Sequence, residues 1–217
     1  DWSSDVCSSD LSTNASHASS ILETADGGLS SISDVLERMK VLCAEAMSGA
    51  VSDTERTYIG SEFSSLMEEI GSIVDTTTFN GTSLLDGTYT ADFLVGTQST
   101  DVITTDLTGA SFTAIAGLDT SLTTITDAAS AATALTAVNT AIGNVAAARA
   151  DVGALESRFD YHASQINSSE ENLDAAQSAI MDCDVAEAQS EFSSAQVKTN
   201  AAIAALSSAN SMPQQLL

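Results

Sequence analysis

The chain has 217 residues, with Lys+Arg 6 against Asp+Glu 30 and a formal net charge of -24 at pH 7. Charge of that sign repels phosphate backbones and anionic lipid surfaces, which excludes nucleic acid as a partner and argues against a membrane surface. Aromatic residues make up only 5%, so the interior must be built from Leu, Ile, Val, Met and Ala, which suits closely packed helices better than a pocketed enzyme.

Residues 1–13 open with Ser, Asp, Trp2 and Cys7 and show no apolar period over Asp1 to Leu11. They are expected to be an unmatched, disordered or artefactual segment. A helix is predicted over 14–48, with Ile21, Ala25, Gly28, Ile32, Val35, Met39, Leu42 and Ala46 on one face and Ser48-Gly49 as its stop. Ser52 followed by Glu55 is a capping-box pair, and it opens a helix over 53–75 with Ile59, Phe63, Leu66, Ile70 and Ile73 on one side. Thr76, Thr77 and Thr78 end that helix, and Asn80-Gly81 supplies a turn that accepts positive φ. A β region of hairpins over 79–125 follows, rich in Thr, Asp and Gly. Both helical arms return to the same rod, so this region is expected at its far tip.

Asp127 is the predicted N-cap of a long helix over 127–181. Its seam is read as Ile142, Val145, Arg149, Val152, Leu155, Phe159, Ala163, Ile166, Glu170, Leu173, Gln177 and Ile180. Arg149 on that seam is expected to bridge helices. The pattern slips at Asp182, Cys183 and Asp184, which reads as a joint, and resumes in a terminal helix within 182–217. Its seam is Val185, Ala188, Phe192, Ala195, Thr199, Ala202, Leu206 and Ala209. Mostly alanine, that seam buries too little apolar area to offset chain entropy of about 1–2 kcal/mol per residue, so the helix needs partners. The fold class is therefore mainly α: an elongated helical bundle with a small β-hairpin region and a C-terminal helix extending from it.

Chemistry is absent from the motifs. His17 and His162 stand apart from any metal or catalytic spacing, no phosphate-binding glycine loop or nucleophile elbow occurs, and Cys7, Cys43 and Cys183 form neither a disulfide framework nor a metal motif. Cys43 and Cys183 are read as buried small residues. No catalytic residue, metal ligand or cofactor is assigned. No apolar run approaches the 18 or more residues of a membrane span, and no basic-then-apolar leader opens the sequence.

Several strings resemble bacterial flagellin. Thr78-Phe79-Asn80-Gly81-Thr82-Ser83-Leu84-Leu85-Asp86-Gly87 is similar to the family's FNG turn, with Phe79, Asn80 and Gly81 at its centre. Phe93-Leu94-Val95-Gly96 is similar to the hairpin strand after it, and the run from Arg149 to Phe159 to the family's R-A-x-x-G-A-x-x-x-R-F. Asp182 to Glu187 and Ala209 to Leu217 resemble the terminal region. The likeness covers roughly Asn14 to Leu217, without the long segment with which the family begins.

The resemblance implies a structural subunit of the flagellar filament, exported unfolded by the type III route, secreted and built into the flagellum for motility. It implies self-assembly through the terminal helix, at Val185, Ala188, Phe192, Ala195, Ala202, Leu206 and Ala209, with other flagellin subunits as partners. A flagellar export chaperone would hold that helix before assembly. The family's contact with an innate immune receptor would fall on Leu36, Lys40 and Glu62, where Lys40 in place of an arginine implies weak recognition or none. The alternative is a helical-hairpin signalling protein resembling a chemoreceptor cytoplasmic region.

Overall fold

The computed structural model describes residues 2–96, 98, 100–118, 124–181 and 185–211. Residues 1–170 and 171–217 form two separate compact units. Helix α1 (Trp2–Ala46) is the spine of the first. Its buried positions include Leu11, Ala15, Ala18, Leu22, Ala25, Leu29, Ile32, Leu36, Met39, Cys43 and Ala46, an unbroken alternation of four- and three-residue steps. That 3.5-residue period is the heptad of helices packed side by side. Leu29 and Leu36 occupy the places expected for Gly28 and Val35. Gly28 serves a different purpose, since a Cβ there would lie 2.6 Å from Thr77 Oγ1 and 2.8 Å from Leu85 Cδ1. The missing side chain lets those two residues close onto α1.

Residues 2–13 belong to α1, correcting the expectation of an unmatched, disordered start. Leu11 is buried and continues the heptad one step before Ala15. The crowd of Ser and Asp around it hid a single apolar position in register.

Helix α2 (Asp53–Thr76) begins with the expected capping box. Ser52 Oγ accepts the Glu55 N–H at 3.3 Å, and the Glu55 carboxylate accepts the Ser52 N–H at 2.8 Å. The Ser52 N–H, together with the Ser52 hydroxyl donating to the same carboxylate at 2.7 Å, favours the ionised form and holds the Glu55 carboxyl below its usual range. One turn on, the Arg56 guanidinium donates to the Ala46 and Ser48 carbonyls at 2.8 and 3.0 Å, satisfying acceptors at the open end of α1. Phe63, Ile70 and Val74 bury the inner face of α2.

At 24 residues against 45, α2 is roughly 36 Å long and covers about half of α1. The hairpins pack against the other half of α1. β1 (Thr78–Phe79) and β2 (Thr82–Ser83) are joined by Asn80 and Gly81, with φ of 50° and 82°, as the sequence requires. β3 (Thr90–Leu94) pairs antiparallel with β4 (Val102–Asp106), from Thr90 opposite Asp106 to Leu94 opposite Val102. The Asn14 side chain donates to the Leu94 carbonyl at 3.4 Å, and Phe93 meets Phe159 edge to face with centroids 5.7 Å apart. The first contact places the hairpin beside the early part of α1, and the second places it against the long helix of residues 128–181. The predicted all-β stretch also contains a short helix, α3 (Ala110–Ala116), whose Phe112 and Ile115 are buried three residues apart, a helical spacing.

Helix α4 (Ala128–Met181) runs antiparallel to α1 within the first unit. Asp127 Oδ1 accepts the Ser130 N–H at 2.7 Å while Ser130 Oγ accepts the Asp127 N–H at 2.9 Å, confirming the predicted cap. The seam is Ala131, Ala134, Val138, Ala141, Val145, Ala148, Val152, Phe159 and Ile166. Arg149 sits beside that line, not on it, and its guanidinium grips both oxygens of Asp26 on α1 at 2.8 and 3.0 Å. The expected bridge therefore exists, from a flanking position. Beyond Ile166 the seam is uncovered, and Leu173 is 53% exposed.

One stretch of α4 departs from the membrane expectation. By length and composition this helix is long and apolar enough to cross a bilayer. Alanines produce that apolar character. Ala131, Ala134, Ala141 and Ala148 are buried in the core, and Thr133, Thr136 and Thr140 line the exposed side.

Burial pushes the Cys43 thiol up to about 11, as expected for an inert core cysteine. Cys183, with Asp182 and Asp184, lies outside the described residues, as does the side chain of Cys7.

The α1–α4 contact also gathers carboxylates. Partial burial, then the charges of Asp26 and Glu23 across the interface and of Asp160 one turn along α4, raise the Glu156 carboxyl above its usual range. The folded chain thus holds a proton there more readily than the unfolded chain. Ionised Glu156 costs stability above its raised folded value, and the cost disappears as pH falls below the unfolded carboxylate range. Glu156→Gln is expected to raise the midpoint of thermal unfolding at pH 7, with the gain over the parent chain vanishing in acid. A constant gain across pH would refute the electrostatic account.

Candidate assembly interface

The second unit joins residues 171–181 of α4 with helix α5 (Val185–Ser211). Helix α5 is long because nothing in it breaks a helix: it has no Gly or Pro, it is rich in Ala, and Glu187 in its first turn complements the helix dipole. What it lacks is a covered face. Phe192, Val197, Ile203 and Leu206 are each 61–68% exposed.

The expected assembly residues Ala188, Phe192, Ala195, Ala202, Leu206 and Ala209 are all exposed and lie on one side of α5. Val185 is its first residue, with its side chain outside the described ones. Sequence reasoning missed Val197 and Ile203. Ile203 sits at the edge of the predicted stripe, whereas Val197 projects from nearly the opposite side, at 100° per residue. The signal was present, because apart from Glu187, Glu191 and Lys198 the helix carries no charge at all. A helix apolar on more than one side is a helix meant to be surrounded.

The remaining predicted positions separate cleanly. Phe79 packs against the core beside its turn, and Asn80 and Gly81 are exposed. Leu36 is fully buried within the heptad. Lys40 and Glu62 are exposed, and Glu62 accepts two hydrogen bonds from the Arg38 guanidinium, one at 2.8 Å. Among the described residues no group of His, Cys, Asp and Glu has the geometry of a metal site.

Two family models match this architecture in order: the bacterial flagellin N-terminal helical region over residues 7–90, and the bacterial flagellin C-terminal helical region over residues 135–217. The chain belongs to the bacterial flagellin family. Its likeness to the family starts at residue 7, earlier than Asn14, in agreement with the buried Leu11. The flagellin of Listeria monocytogenes is 34% identical over 221 residues, spanning 94% of this chain and 76% of that protein. The flagellar filament 33 kDa core protein of Treponema phagedenis is 30% identical, spanning 95% of this chain and 77% of that protein. The crystal structure of Bacillus cereus flagellin superposes with a TM-score of 0.64 at 31% identity, covering 76% of this chain and 94% of that one. As a flagellin, the chain is a structural subunit of the bacterial flagellar filament. The signalling-hairpin alternative is set aside by these matches.

Proposed function

We propose that the chain assembles by burying both apolar sides of α5 against other copies of itself, while residues up to 170 fold as a finished bundle. The observation that carries this reading is the exposure of Phe192, Val197, Ile203 and Leu206 around α5. Two partners on one side would leave Val197 in water; several neighbours around the helix would not. Burying each such side chain contributes about 1.5–3 kcal/mol, which four residues repeat in every copy.

In this reading the chain leaves the cell unfolded through the flagellar type III apparatus and works outside it, in the filament. A flagellar export chaperone covers α5 beforehand, since an exposed apolar helix is an aggregation hazard. The chain has no catalytic role. Recognition by the innate immune receptor is weak or absent, because Leu36 is internal, Lys40 lacks the planar fork of arginine, and Glu62 is already engaged by Arg38.

Deleting all residues after Asp184 tests the division of labour. The shortened chain is expected to keep the cooperative thermal unfolding of the bundle and to remain in the supernatant on ultracentrifugation where the full chain pellets as filaments visible by electron microscopy. Filaments formed by the shortened chain would refute the reading.

A further inference from the structure

We infer that Lys198 is a contact between subunits: its ammonium pairs with a carboxylate near the start of α5 in a second copy, and Glu191 is the residue whose position fits. This deepens the assembly reading above and rests on it.

Charge along the second unit is sharply divided. Every carboxylate side chain of the protein lies at or before Glu191, and Lys198 is the sole lysine or arginine after Arg158. Glu187, Glu191, Ser194 and Lys198 follow steps of four, three and four, so they form one row along α5. At 100° per residue that row runs along one flank of the stripe from Ala188 to Ala209. Negative charge occupies its beginning and positive charge its middle.

The two charges cannot meet within one helix. Glu191 and Lys198 are seven residues apart, roughly 10 Å along the axis, whereas neighbours on a helix surface are three or four residues apart. The positions three and four residues from Lys198 are Ser194, Ala195, Ala201 and Ala202, which offer no carboxylate. Both Glu191 and Lys198 are exposed. When the adjacent stripe is covered, the ammonium loses water and must find an opposite charge or point away. A second α5 displaced by two turns brings its Glu191 level with Lys198, and the same displacement repeats from copy to copy. Such a pair on the flank of an apolar seam sets register, as flanking charges do in coiled coils.

The test measures the critical concentration for polymerisation of the full chain, driven by ammonium sulfate and read by sedimentation, for the parent, K198E, and K198E with E191K. Circular dichroism and bundle melting confirm that each variant is folded. K198E places two carboxylates together and is expected to raise the critical concentration by about tenfold or more, with the double variant returning to within about threefold of the parent. An unchanged value for K198E, or a double variant no better than K198E, overturns the inference. Failure of the parent chain itself to polymerise is a separate result: it refutes the assembly reading, and the inference falls with it.

Discussion

Phe159→Ala is expected to destabilise the bundle by about 3–5 kcal/mol, the range for removing a fully buried aromatic ring. The reason is local. The seam of α4 is mostly alanine from Ala131 to Ala148, so α1 and α4 approach closely there with little volume between them. Phe159 is a large ring in the later part of that seam, fully buried and held edge to face against Phe93 of the hairpin at 89°. Its loss opens a cavity where the hairpin replaces α2 as the third element against α1. Rigid helices on two sides cannot collapse into it. For a unit of this size each kcal/mol shifts the unfolding midpoint by about 2–4 °C, so a fall of roughly 10 °C is expected by calorimetry. A fall of less than about 3 °C would mean that the ring is not a keystone of the hairpin contact.

The second large effect concerns assembly and leaves folding alone. Phe192→Asp combined with Leu206→Asp is expected to raise the critical concentration for polymerisation by about a hundredfold or more, from the loss of two burials of about 1.5–3 kcal/mol each. Both side chains are more than 60% exposed in the single chain. The bundle should therefore unfold within about 0.5 kcal/mol of the parent, as surface substitutions do. Sedimentation and calorimetry on the same preparations separate the two effects. Matching losses in both would show that α5 belongs to the bundle's own core.

These two expectations differ because the sequence is legible to different depths in the two units. Local signals transferred intact. The Ser52–Glu55 box, the Asp127 cap and the Asn80–Gly81 turn each depend on a few adjacent residues whose chemistry permits little else. Helix faces transferred with an error of one position. Ala, Ser and Gly are so frequent that several registers have similar apolar content, and the periodicity alone puts Gly28 and Arg149 on seams that Leu29 and Ala148 occupy. The three-dimensional placement of the β region was the least legible. It follows from the difference in length between α1 and α2, which leaves about half of α1 uncovered by α2 and lets the hairpin take that place beside α4.

For α5 the difficulty was of another kind. Its stripe was legible, but a stripe read alone suggests one partner, whereas the exposed Val197 on the far side supports the proposal of more than one. Arg149 illustrates the opposite case. In a chain with Lys+Arg 6 against Asp+Glu 30, each cation has many possible carboxylates, and only the structure shows that Asp26 is the one it grips.

In the proposed assembly the bundle is complete in a single chain, whereas α5 becomes stable only among copies. Hydrogen exchange of backbone amides, followed in the unpolymerised chain and in the filament, tests it most directly, because exchange reports the free energy of local opening. An isolated helix of 27 residues with few large side chains has little to hold it closed in water. Strong protection of α1 around Leu29 and Leu36 is expected in both states, and protection of α5 around Phe192 and Leu206 in the filament alone. Equal protection of α5 before and after polymerisation would contradict it.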